Sequence, residues 1–167
     1  GHHSFQVAGS GSADATISFS NILRIDSDGI KFNDDTAAAN ALNDFEEGTW
    51  TPTAVNFSGT LSVTSANYVK VGRIVHVQGY VQISSNSDTN PIKIGSLPFT
   101  AIGTTSAYSL LTAHTNGGLD NLALRAQGTT TVLTAVHLSS GDGDEKPAYS
   151  SLSGKFIIFG GTYISNT

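Results

Sequence analysis

The chain has 167 residues, no cysteine, 13% charged residues and a formal net charge of -5. That length holds one ordinary domain plus a short appendage, and the missing cysteines exclude disulfides, thiolate metal sites and thiol chemistry. The acidic balance argues against nucleic acid, which needs a Lys/Arg-rich face, and against an anionic membrane surface.

No apolar run approaches the roughly 18 residues that span a bilayer, so no membrane insertion is expected. The N-terminus lacks the basic-then-apolar layout of a signal peptide. Gly1-His2-His3-Ser4 reads as a tag remnant, which assigns residues 1–12 to tag and linker and keeps His2 and His3 out of any metal argument.

Residues 13–48 have a character of their own. Ile17 and Phe19, Leu23 and Ile25, and Ile30 and Phe32 form three apolar pairs, separated by Ser20-Asn21 and by Asp26-Ser27-Asp28-Gly29. Two apolar residues per strand do not make a core within one chain. The expectation is a short β-rich shaft or trimerisation segment completed by other copies of itself around a shared axis, in a homotrimer. Within it, residues 36–45 carry Ala37, Ala38, Ala39, Ala41 and Leu42 behind possible caps at Asp34, Asp35 and Thr36. About two helical turns would form there, too few to persist without support, so a brief helix and an ordered non-repetitive segment both remain open.

Residues 49–167 read as strands, with Val, Ile, Thr, Tyr and Phe alternating with polar residues between turn clusters. In residues 73–83, Arg73, Val75, Val77, Gly79, Val81 and Ile83 share the core face, and Ile74, His76, Gln78, Tyr80 and Gln82 share the other. Lys70-Val71-Gly72-Arg73 suits a tight hairpin that pairs residues 67–70 back onto this strand. Further strands are expected at 54–57, 60–64, 92–95, 108–114, 119–126, 131–137 and 155–164. Asn116-Gly117-Gly118 is a turn, and residues 139–147 form a loop too polar to bury. The predicted fold is all-β, an antiparallel β-sandwich of jelly-roll-like type following the shaft.

Four segments carry a family likeness: Leu42-Asn43-Asp44-Phe45-Glu46-Glu47-Gly48-Thr49-Trp50-Thr51-Pro52, then Tyr68 to Gly79, Leu97-Pro98-Phe99, and Gly160-Gly161-Thr162-Tyr163-Ile164. In that order they resemble the distal domain of bacteriophage tail fibres and tailspikes, with Asn43 and Phe45 where the family more often has Asp and Tyr. The resemblance implies a trimeric β-structured tip on a slender shaft, exposed extracellularly on the virion after synthesis in the bacterial host cytoplasm. It implies host recognition through a bacterial surface polysaccharide or lipopolysaccharide. The alternative it allows is a structural trimerisation and folding module with recognition carried elsewhere on the fibre. No binding residue carries over, because recognition loops vary with the host.

The residues give no sign of an enzyme. No Gly-x-Ser-x-Gly elbow is present, and Asp120, Asp142, Asp144 and Glu145 read as solvated loop carboxylates rather than a glycosidase pair. Asp26-Ser27-Asp28-Gly29 and Asp142-Gly143-Asp144-Glu145 space carboxylates as calcium loops do, without the later bidentate glutamate. His76, His114 and His137 are too dispersed for a sequence-local zinc site. No catalytic residue, metal or cofactor is expected.

Sugar sites pair aromatic faces with planar polar side chains. Two sets have that composition: His76, Gln78, Tyr80 and Gln82 on one strand face, and Tyr108, His114, Asn116 and Asp120 around the later hairpin. A subunit interface or a plain solvent-facing sheet would show the same residue types. Trp50, with the largest apolar surface in the chain, is expected to anchor the shaft against the sandwich, with an exposed stacking platform as the competing reading.

Overall fold

The computed structural model describes residues 1–38, 41–42, 45–55, 57–103, 108–119, 121–137 and 149–166. Its strands are β1 (His3–Ala8), β2 (Phe19–Asp26), β3 (Gly29–Phe32), β4 (Phe45–Thr49), β5 (Thr53–Val55), β6 (Leu61–Val71), β7 (Ile74–Ile83), β8 (Lys93–Gly95), β9 (Tyr108–Thr115), β10 (Leu122–Gln127), β11 (Leu133–His137) and β12 (Phe156–Ile164). The chain divides into two compact units, Gly1–Phe45 and Glu46–Thr167.

The first unit is a three-stranded antiparallel sheet in the order β1-β2-β3. Residues 3–8, expected in the linker, are therefore a strand: His3 to Phe5 pair with Ile25 to Leu23, and a bulge follows before Gln6. In residues 36–45 no α-helix is found among the described positions; Leu42 instead forms a backbone bridge with Ile30. Cross-strand pairing puts Phe5, Leu23 and Phe32 in one row and Ile25 opposite Ile30. Most of that apolar face is open, with Phe5, Ile25, Phe32 and Leu42 all exposed.

The same unit buries a charge. The Lys31 ammonium is 1% exposed and donates to both Asp26 oxygens at 3.2 and 3.1 Å and to Asp28 Oδ2 at 2.6 Å, while Arg24 Nε meets Asp26 at 2.8 Å. An internal cation thus occupies the centre of the loop whose spacing resembled a calcium site. The Asp28 backbone N–H and then the Lys31 side chain hold the Asp26 carboxyl down at about 2, from an ordinary 3.8.

The larger unit is one nine-stranded antiparallel sheet in the order β4-β6-β7-β12-β9-β10-β11-β8-β5. The all-β, antiparallel expectation holds, but hydrogen bonding runs through a single sheet rather than two separate ones. Its two edge strands are consecutive in the chain, joined only by Trp50–Pro52. Such a link reaches about 13 Å, whereas the edges of a flat nine-stranded sheet would lie about 38 Å apart. The sheet must curl until its edges nearly meet.

Alternation decides what the curl encloses. Val75, Val77, Val81 and Ile83 of β7 are buried while Ile74, His76, Gln78 and Gln82 are exposed, as the period-two pattern requires. Ile94, Leu111, Leu124, Leu133, Ile157, Phe159 and Tyr163 join the same core. The β6–β7 hairpin closes on Gly72 with φ +56, the first of its two loop residues, where a type II′ turn places glycine. Trp50 is 8% exposed and meets Phe159 edge to face at 6.2 Å. That burial within its own unit overturns the exposed-platform reading.

Residues from the four segments singled out in the sequence meet in one packing cluster. Tyr68 stacks edge-on against Phe99 at 5.5 Å, and the buried Lys70 ammonium sits 4.9 Å above the same ring and 3.9 Å from Glu46. Tyr163 donates its hydroxyl to the Phe99 carbonyl at 2.9 Å and accepts from the Phe99 N–H at 3.2 Å. Burial pushes its hydroxyl up to about 12.

The charge cluster of the first unit sets its acid response. Asp26 titrates lower folded than unfolded, so its contribution is complete above about pH 4 and is lost as pH falls through about 2. Amide NMR signals of β2 and β3 should persist from neutral pH to near 4 and fade below it. Asp26→Asn should weaken them already at neutral pH and remove the acid step; an unchanged profile would show the cluster to be inessential.

Candidate functional site

The outer face of the larger unit is built around β12, which pairs with β7 on one side and β9 on the other. Register fixes its rows: His76 lies opposite Thr162, Gln78 opposite Gly160, and Tyr80 opposite Ile158. On the far side Thr112 lies opposite Gly160 and His114 opposite Ile158. His76, Gln78, Tyr80 and His114, drawn from both predicted sets, therefore share one surface.

Between them lies a shallow depression of 340 Å³, lined by His76, Gln78, Thr112, His114, Ile158 and Gly160. Gly160 makes the floor low. A Cβ there would find only the Val77 carbonyl oxygen at 3.7 Å and the Gln78 Cβ at 3.9 Å, so the absence of a side chain leaves open surface rather than relieving a clash. Thr112 spends its hydroxyl donor on the Gly160 carbonyl at 3.0 Å, and His76 Nδ1 stands 3.5 Å from the Thr162 hydroxyl.

One rim is aromatic. Tyr80 and Phe156 meet edge to face at 5.5 Å, and His114 tilts against Phe156 at 6.0 Å. This cluster leaves ring edges and faces beside planar amide and imidazole groups, the combination suited to C–H faces and hydroxyls of a sugar. The floor and rim are set on strands held by two neighbours, so the site is preformed.

The remaining predicted residues lie elsewhere. Asn116 is exposed, but its Oδ1 accepts from the Phe156 N–H at 3.1 Å, which ties the turn after β9 to the start of β12. Tyr108 is on the same face of β9, six residues from His114, about 20 Å along the strand. Its ring instead lies under the Arg125 guanidinium at 5.2 Å. Asp120, Asp142, Asp144 and Glu145 lie outside the described residues.

His76 and His114 flank opposite corners of the depression. Their partners on β12, Thr162 and Ile158, are four residues apart, which separates the two imidazoles' strands by about 13 Å along the chain direction. That span exceeds one pyranose ring and precludes a shared metal within one chain. Among the described residues no group of three His, Asp or Glu is placed to hold a metal ion.

No family model, curated protein or solved structure matches the chain. The site is accordingly defined by its geometry alone.

Phe156, Ile158, Gly160 and Thr112 escaped the sequence reading. Period-two counting from Thr162 would have put Gly160 on the outer face, but which strands flank β12 is not encoded locally.

Two glycines on opposite faces give a direct test. Gly160→Val should leave the fold intact, changing unfolding free energy by no more than about 1 kcal/mol, while filling the depression. Gly79→Val points inward against the Phe159 ring and should cost about 1–3 kcal/mol. Urea unfolding followed by Trp50 fluorescence reads both; equal losses would mean that Gly160 is not on an open face.

Proposed function

We propose that this chain is the distal domain of a bacteriophage tail fibre or tailspike, working as a homotrimer that binds a bacterial cell-surface glycan without cleaving it. The observation that carries the proposal is the convergence of His76, Gln78 and His114 on a preformed, shallow hollow with an aromatic rim. The likeness of the four sequence segments supports the same reading. A hollow of this kind holds one or two sugar units weakly, and three copies on one tip would raise the effective affinity through simultaneous contact.

A second reading rests on a different observation. The first unit exposes Phe5, Ile25 and Phe32 on one sheet face while burying Lys31 on the other, an inversion that favours a face covered by further copies. In that reading the chain mainly directs trimer assembly, with recognition carried elsewhere on the fibre.

Purified host lipopolysaccharide or capsular polysaccharide should bind the intact protein, and Gly160→Val or His114→Ala should each weaken that binding at least about tenfold with the fold unchanged. Sedimentation should show a trimer that dissociates in a Phe5→Ser, Phe32→Ser variant. A trimer with no affinity for any susceptible strain's envelope would leave the assembly reading standing alone.

A further inference from the structure

A second part of the same outer surface carries cations without partners. Cross-strand pairing runs from Val55 to Lys93, from Lys93 to Thr134, from Thr134 to Arg125, and from Arg125 to Leu110. Directly opposed residues point to one face, so Lys93, Thr134 and Arg125 stand in a row, with the two cations two strands, about 9.6 Å, apart. A hollow of 340 Å³ opens beside the row, lined by Lys93, Thr134, Gln127 and Thr130.

The chain has only 8 Lys and Arg residues and is acidic overall. Arg24, Lys31 and Lys70 sit against carboxylates, and Arg73 donates to the Ser165 carbonyl. Lys93, Arg125 and Lys155 differ: none has a carboxylate or a hydrogen-bond acceptor for its side chain among the described residues, and of these Lys93 and Arg125 share the row on β8 and β10. Arg125 Nε is closed off from solvent and still meets no acceptor.

Arg125 is nevertheless held in place. Its guanidinium lies over the Tyr108 ring, 5.2 Å from the centroid, a cation–π contact that holds it without using its N–H donors. A fixed, unpaired guanidinium with an ammonium across a hydroxyl-bearing strand is complementary to an oxyanion, which would accept from both cations and from Thr134. The neighbouring hollow, with the Gln127 amide and the Thr134 hydroxyl, is large enough for the ring that bears the anion.

We propose that Arg125 and Lys93 form a second glycan subsite, specific for an acidic sugar whose carboxylate bridges them while its ring occupies the hollow beside Gln127 and Thr134. This rests on the glycan-binding reading and adds to it the charge of the ligand. Tyr108, which does not reach the His76–His114 depression, acts here by positioning Arg125. Association with an acidic polymer would also fall with ionic strength, although the chain as a whole is anionic.

The test uses the full chain, polygalacturonate, and its methyl ester, the same polymer with the charge removed. Two-dimensional 1H–15N NMR reports the Arg125 Nε–H directly. Polygalacturonate should shift that signal and those of Lys93 and Thr134 while leaving Lys155 unmoved, and the methyl ester should not. Arg125→Gln and Lys93→Gln should each weaken binding roughly tenfold to a hundredfold, with Arg125→Lys recovering part of it.

No shift with polygalacturonate, or an equal shift with the methyl ester, would overturn the proposal. A response to inorganic sulfate or phosphate as strong as to the polymer would overturn the assignment to a sugar. Movement of His76 and His114 by the methyl ester, with Arg125 silent, would remove this subsite and keep the depression as the glycan site.

Discussion

The C-terminal strand Phe156–Ile164 lies between β7 and β9 and hydrogen-bonds to both. Without it the remaining order falls into β4-β6-β7 and β9-β10-β11-β8-β5, two sheets with no shared hydrogen bonds. Inserting the last strand of the chain at that position joins them, and it brings together segments some eighty residues apart in sequence, an expensive closure in chain entropy. The closure is held from the inside by Ile157, Phe159 and Tyr163, all buried. Alternation then leaves Ile158, Gly160 and Thr162 outside, where Ile158 and Gly160 become the floor of the depression. Core and candidate site are thus two faces of one strand.

The four segments singled out in the sequence supply both faces: Trp50, Tyr68, Lys70 and Tyr163 pack inward, while His76, Gln78 and Gly160 face outward. Trp50 packs against Phe159, Tyr68 and Lys70 against Phe99, and Tyr163 is hydrogen-bonded to the Phe99 backbone. The cations Lys93 and Arg125 lie on the outer face of β8 and β10.

Much of the fold was legible because a half-buried strand announces itself by alternation. Val75 to Ile83 is the clearest case, and Gly72 marked its hairpin. What was not legible is order in space: nothing in residues 108–115 says that they lie beside residue 158, and nothing in Lys93 says that it stands two strands from Arg125. Four of the sugar-type residues, His76, Gln78, Tyr80 and His114, came together because register happened to align them. Asn116 and Tyr108 had the right composition but are occupied by a backbone N–H and a guanidinium. The loop that resembled a calcium site failed for a reason visible only in three dimensions, since Lys31 comes from the next strand to fill it.

The central claim requires that the outer face of β7, β12 and β9 be open in the assembled protein and be covered by the host glycan. Modification of histidines by diethylpyrocarbonate, read by peptide mass in the native protein with and without susceptible-strain polysaccharide, tests both halves at once. His76 and His114 should react readily in the free protein and become protected when polysaccharide is added. Unreactive histidines in the free protein would mean that another copy already covers this face, and histidines equally reactive in both states would mean that the glycan does not bind there; either result contradicts the claim.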